Sequence, residues 1–138
     1  MKPEFLADIA ITITPVGSRV TCDPPPVDTD EDWLVLLKHH KFLDGLQFLE
    51  SEGFKLDNPN EHYRPEEGRF NSWRKGDTNL IVTRDWEFHR RFLAATHVAK
   101  TLNVMKKQDR VTLFQAVLYG AIADREQFNS DGHLSYLI

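Results

Sequence analysis

Apolar and polar positions alternate at the start of the chain. Ile9-Ala10-Ile11-Thr12-Ile13-Thr14 is β-branched with period two, which predicts a strand that Pro15 ends. Gly17-Ser18-Arg19 follows as a turn, and Asp23-Pro24-Pro25-Pro26 as a rigid loop. Trp33-Leu34-Val35-Leu36-Leu37 is a short apolar run and predicts a buried strand. From Lys41 to Glu52 the period changes to that of a helix. Phe42, Leu46 and Leu49 share one face, Leu43 and Phe48 widen it, and Gly53 sits at the C-cap. Asp57 to Gly68 is polar and predicts a surface loop.

Two more strands are expected at Phe70–Arg74 and Asn79–Thr83, joined by a Lys75-Gly76-Asp77-Thr78 turn. Asp85 is placed to cap a long helix, in which Phe88, Phe92, Ala95, Ala99 and Leu102 fall on one face. A last helix from about Arg110 to Ala123 turns Phe114, Val117, Leu118, Ala121 and Ile122 inward, and the tail after Asp124 is polar until Leu134. Strands and helices mixed in this order predict an α/β (α+β) fold: a small mixed sheet with helices packed mainly on one face. At 138 residues and 41% hydrophobic, residues 1–138 suffice for a single domain with its own core.

Seventeen Lys and Arg against twenty-one Asp and Glu give a net charge of -4, which argues against duplex DNA as a partner. One cysteine, Cys22, excludes a disulfide framework within the chain and fits a cytoplasmic setting. Glu4 and Asp8 interrupt the start, unlike a secretory signal, and no apolar run reaches the ~20 residues of a membrane span.

Chemistry concentrates in Gly17-Ser18-Arg19 and in Asp28, Asp30 and Asp32. If residues 28–32 are extended, the three carboxylates point to one face and repel one another unless they are solvated or balanced by cations such as Mg²⁺ or Mn²⁺. A glycine turn lets backbone N–H groups approach a phosphate, Ser18 adds a hydroxyl, and Arg19 a planar cationic donor. A solvated acidic loop is the bland alternative for the aspartates. Arg64, Arg69, Arg74, Lys75 and Arg84 with Tyr63 and Trp73 fit either a solvated hairpin face with a core tryptophan or, less well, a nucleic-acid surface. His39 and His40 diverge by about 100° on a helix and cannot chelate together. Cys22 lacks a neighbouring base in the sequence, and Lys106, Lys107 and Arg110 are ordinary for helix ends.

The order strand, Gly17-Ser18, loop, Thr29-Asp30-Glu31-Asp32, then Trp33-Leu34-Val35 resembles the signature of minimal nucleotidyltransferases of the DNA polymerase beta superfamily. The text from Phe70 to Thr83 and from Leu113 to Gly120 is similar to small phage-encoded nucleotidyltransferase-like proteins. This resemblance implies that Asp30 and Asp32 hold Mg²⁺ or Mn²⁺ and that Gly17, Ser18 and Arg19 bind the NTP. It implies transfer of an NMP to a hydroxyl of a protein or RNA acceptor. A third carboxylate on a later strand is also implied. Asn79 stands at that position and is no base, which leaves Asp77, two residues earlier, as the catalytic candidate. Two other functions stay open: an inactive phage protein that binds a host factor in the host cytoplasm, and an antitoxin-type partner of a helical toxin.

Overall fold

The structure, a computed structural model, describes residues 2–27, 29–57, 63 and 68–120. Its strands are β1 (Ala10–Val16), β2 (Glu31–Leu37), β3 (Lys55–Leu56), β4 (Asn71–Lys75) and β5 (Thr78–Thr83). Its helices are α1 (Ser18–Thr21), α2 (Phe42–Ser51), α3 (Trp86–Thr101) and α4 (Lys107–Tyr119), with 3-10 turns at Glu4–Leu6 and His39–Lys41. The five strands form one sheet in the order β1-β2-β5-β4-β3. Only β2 and β5 run parallel; the other pairs are antiparallel.

Strand alternation sends the side chains of β2 to two different cores. Leu34 packs with Val16, Phe70, Ile81, Phe88, Phe92 and Phe114 under α3 and α4. Val35 and Leu37 pack with Leu6, Leu49, Phe54, Trp73, Leu80 and Val82 on the α2 face. Each such large apolar side chain contributes roughly 1.5–3 kcal/mol when fully buried. Aromatic pairs reinforce the first core: Phe70 stacks on Phe88 at 5.0 Å and Phe92 meets Phe114 edge-on at 4.9 Å. The two longer helices thus share one face and α2 covers the other.

Several local expectations change. Pro15 does not end β1; the strand runs on to Val16, with Pro15 opposite Trp33. A proline is tolerated there because β1 is an edge strand, where a missing N–H breaks no ladder bond on the open side. Leu43 (71% exposed) stands away from the core and Phe48 (36%) reaches only its edge, ring against ring with Phe5; α2 enters the core through Gly45 and Leu49, with Phe42 and Leu46 packed beside them. Gly45 lies so close to the sheet that a Cβ there would meet Leu37 Cδ1 at 2.7 Å. Leu102 closes α3 and is 68% exposed, and the two-residue β3 carries no apolar alternation by which to find it. Helix α4 begins at Lys107, before Arg110, and adds buried Val111 and Gln115 to the inward face. Asp28, Ala121, Ile122 and the tail lie outside the described residues, as does most of the loop from Asp57 to Gly68.

Helix ends follow local chemistry. The N–H of Gly53 bonds to Glu50 O and that of Phe54 to Leu49 O, with Gly53 at φ +90°, the paired closing bonds of a Schellman motif. Asp85 caps α3, accepting from the N–H groups of Glu87 and Phe88 at 2.9 and 3.1 Å, and Arg69 Nε donates to its other oxygen at 2.9 Å. Burial raises the Asp85 pKa, but the Arg69 bond and the two cap bonds outweigh it and hold the carboxyl below its usual value. A depressed pKa means stability that is present above the unfolded value of about 3.9 and lost as pH falls through the folded one. Asp85→Ala is therefore expected to cost about 1–2 kcal/mol at pH 7 in urea unfolding, with the gap to wild type closing in acid. An unchanged gap at low pH would contradict this account.

Candidate functional site

The site lies at the leading ends of β2 and β5. Because these strands are parallel and in register, Asp32 stands directly beside Asn79 and Glu31 beside Thr78. Antiparallel β1 brings Val16 opposite Asp32, so the chain reaches Gly17 at the moment it passes this carboxylate. Gly17 takes φ 81° and ψ -174°, a region reserved for glycine, and α1 starts at the next residue. A Cβ on Gly17 would sit 2.1 Å from Asp32 Oδ2. The glycine is thus required twice, by its backbone and by the side chain packed against it.

Asp30 and Asp32 line one cleft of about 910 Å³ with Gly17, Ser18 and Asn79. Asn79 Nδ2 donates to Asp32 Oδ1 at 3.0 Å. Burial is the main force on Asp32 and raises its pKa to about 6; Asp30 pushes the same way, while the Asn79 bond and Arg74 and Arg19 oppose it. Asp30 is paired with Arg74, whose Nη2 lies 3.1 Å from Oδ2. Arg74 reaches Asp57 on its other side, Nε to Oδ2 at 3.3 Å.

The turn is tied to the loop before β2. Ser18 Oγ and Thr29 Oγ1 share a hydrogen bond of 2.5 Å, and Arg19 donates from Nε and Nη2 to Thr29 O at 3.2 and 2.8 Å. Arg19 also lies 3.6 Å from Glu31 Oε2 and 4.0 Å from Asp77 Oδ2. It is not among the residues that line the cleft, so its place is that of a brace behind the turn. Asp77 is likewise outside the lining, in the β4–β5 turn with its side chain 76% exposed. Its carbonyl, not its carboxylate, meets the site strand, accepting from Glu31 N at 2.8 Å. Asp77 and Asn79 would share a face only if the strand began earlier than Thr78, where it does begin.

The opposite wall was not legible in the sequence. Lys107, Arg110, Val111 and Phe114 from α4 line it with Met105, Tyr63, Phe70 and Phe92. Arg110 is held by Met105 O and Val104 O at 2.7 and 3.1 Å, and by Cys22 Sγ at 3.2 Å. Asp23 and Asn103 exchange two bonds, N–H to Oδ1 at 2.9 Å and Nδ2 to the carbonyl at 3.1 Å, which join the loop after α1 to the α3–α4 turn. Burial pushes the Tyr63 hydroxyl up to about 12, so it is a neutral donor and acceptor at any physiological pH. The cleft thus has a polar floor, a cationic rim and an aromatic end. Of the hairpin residues, Arg74 lines the cleft, whereas Arg69 pairs with Asp85, Lys75 bonds to Glu52 O, and Trp73 is buried in the α2 core.

No protein-family profile and no curated protein matches the chain. Among solved structures, the conserved protein GrpB from Enterococcus faecalis matches with a TM-score of 0.53 and 18% identity, over 85% of this chain and 86% of that one. The fold is nucleotidyltransferase-like. A cytoplasmic RNA terminal U-transferase also matches, at a TM-score of 0.46 and 13% identity, over 82% of this chain and 32% of that one. No helix among the described residues is long and apolar enough to cross a membrane.

In this nucleotidyltransferase-like fold the oxygen donors of Asp30 and Asp32 suit a hard cation such as Mg²⁺, which is commonly held by one or two carboxylates and completed by substrate phosphates. Among the described residues no group of three His, Cys, Asp or Glu could hold a metal ion.

Two outcomes follow from this geometry. Gly17→Ala should lose about 1–3 kcal/mol from backbone strain alone, and should displace Asp32; unchanged urea stability would show that the contact is not as tight as described. Asp32 has a folded pKa above its unfolded value, so the stability tied to its protonated form is complete below about pH 4 and is lost as pH rises through about 6. Asp32→Asn should accordingly be more stable than wild type at pH 8, by on the order of 2 kcal/mol, and no more stable at pH ~4. An equal effect at both pH values would remove burial as the cause.

Proposed function

We propose that the cleft binds a nucleoside triphosphate with Mg²⁺ or Mn²⁺ and transfers its nucleoside monophosphate to a hydroxyl of a protein or RNA acceptor. The observation that carries this reading is the contact between Gly17 and Asp32: a side-chain-free turn lies against a buried carboxylate, and both line a cleft of about 910 Å³. Asp30 and Asp32 hold the cation. Ser18 donates its hydroxyl to the terminal phosphates. Lys107 and Arg110 face the phosphates from the opposite wall, and the aromatic end around Tyr63 and Phe114 takes the base. When bound, the cation neutralises the phosphates and lowers the pKa of the attacking hydroxyl.

A second reading rests on Asn79. An amide accepts no proton, and a positioned base is worth about 10² to 10⁴ in rate. With Asn79 on Asp32 and Asp77 outside the lining, a domain that binds the nucleotide and engages a host or toxin protein without transfer fits the same cleft.

Incubation with labelled NTPs, Mg²⁺ or Mn²⁺ and a cell lysate separates the two. Transfer predicts label on a protein or RNA, lost in Asp30→Asn and Asp32→Asn. Asp77→Asn should stay within a few-fold of wild type, since its carboxylate is outside the cleft lining; a loss of 10² or more would make it the base after all. Binding of metal–nucleotide by calorimetry with no labelled acceptor in any lysate would establish the second reading.

A further inference from the structure

The Asp32–Asn79 row continues by one strand. Asn79 pairs in register with Arg74 of β4, so acid, amide and guanidinium stand side by side on three neighbouring strands. Neighbouring strands are about 4.8 Å apart, which sets Arg74 within side-chain reach of the metal-binding pair. Arg74 lines the cleft, lies 3.1 Å from Asp30 and is held from behind by Asp57 at 3.3 Å. Its side chain is only 30% exposed, and Asp30 and Asp57 fix it from two directions. A half-exposed ion pair of this type contributes little to stability. Its consequence for charge is larger.

We propose that Arg74 stands in for the second divalent cation of a two-metal phosphoryl-transfer site, so that this cleft takes a single metal ion with its nucleotide. The proposal rests on the metal–nucleotide reading given above. A site with three carboxylates, a triphosphate and two divalent cations retains three negative charges. Here Asn79 carries no charge, and Arg74, shared between Asp30 and Asp57, places a fixed positive charge beside the metal pair where a second cation would otherwise stand. The residues that differ are the two that border Asp32 and Asp30 here: Asn79 removes one negative charge and Arg74 adds one fixed positive charge. A guanidinium is always protonated, so while Arg74 is paired with Asp30 that carboxylate has one less lone-pair direction open to a second ion.

The test is the Mn²⁺ stoichiometry of the full chain, read by electron paramagnetic resonance in the presence of a saturating α,β-methylene NTP analogue. Wild type is expected to bind one Mn²⁺ per chain and Arg74→Gln two. Arg74→Lys, which keeps the charge, should return to one and guards against a merely structural effect of the glutamine. Two Mn²⁺ in wild type, or one in both wild type and Arg74→Gln, overturns the proposal while leaving the nucleotide reading intact. No Mn²⁺ bound with nucleotide in wild type overturns both.

Discussion

Between Gly17 and the carboxylate of Asp32 there is no room for a single methyl group, and the arrangement of the site depends on that contact. Gly17 must be where it is because β1 ends opposite Asp32, and Asp32 must be buried because the glycine and its turn cover it. A carboxylate in that position pays for its lost water, which is why its pKa is raised to about 6 in spite of the Asn79 bond. The protein holds a group that would be easier to satisfy in solvent.

Around this centre the charges are arranged in two layers. The inner layer is Asp32, Asn79 and Asp30, with Arg74 on the outer oxygen of Asp30. The outer layer is Arg19, which lies behind the turn, binds Thr29 O and approaches Glu31 and Asp77. Arg19 thus couples the turn to the loop before β2 and so fixes the angle at which Ser18 meets the cleft. Two arginines that look alike in sequence therefore do different things: Arg74 changes the charge inside the cleft, and Arg19 shapes its edge from outside.

The second wall comes from residues far along the chain. Helix α4 presents Lys107 and Arg110 because the α3–α4 turn is stapled to the loop after α1 through Asp23, Asn103 and Cys22. Phe114 on the same helix packs on Phe92, which ties the cleft's aromatic end to the main core. The far wall of the cleft is thereby tied to the packing of α3 and α4.

By itself the sequence determined the elements with strong local signals. The alternation in β1, the apolar run in β2, the helical period of α3 and the Asp85 cap all follow from short-range sterics and hydrogen bonding, which neighbouring residues decide. The sequence also showed a glycine turn followed by alternating aspartates, but β2 begins at Glu31, so Asp30 precedes the strand and its place beside Asp32 in the cleft was decided by the tertiary structure. What only the tertiary structure decided is which residues meet across strands. The parallel register of β2 and β5 set Asn79 against Asp32, and the onset of β5 at Thr78 left Asp77 in the turn. Pairing of β4 brought Arg74 to Asp30, and helix docking brought Lys107 and Arg110 to the far wall. These contacts span tens of residues, and their energies arise from packing and desolvation that no local pattern encodes.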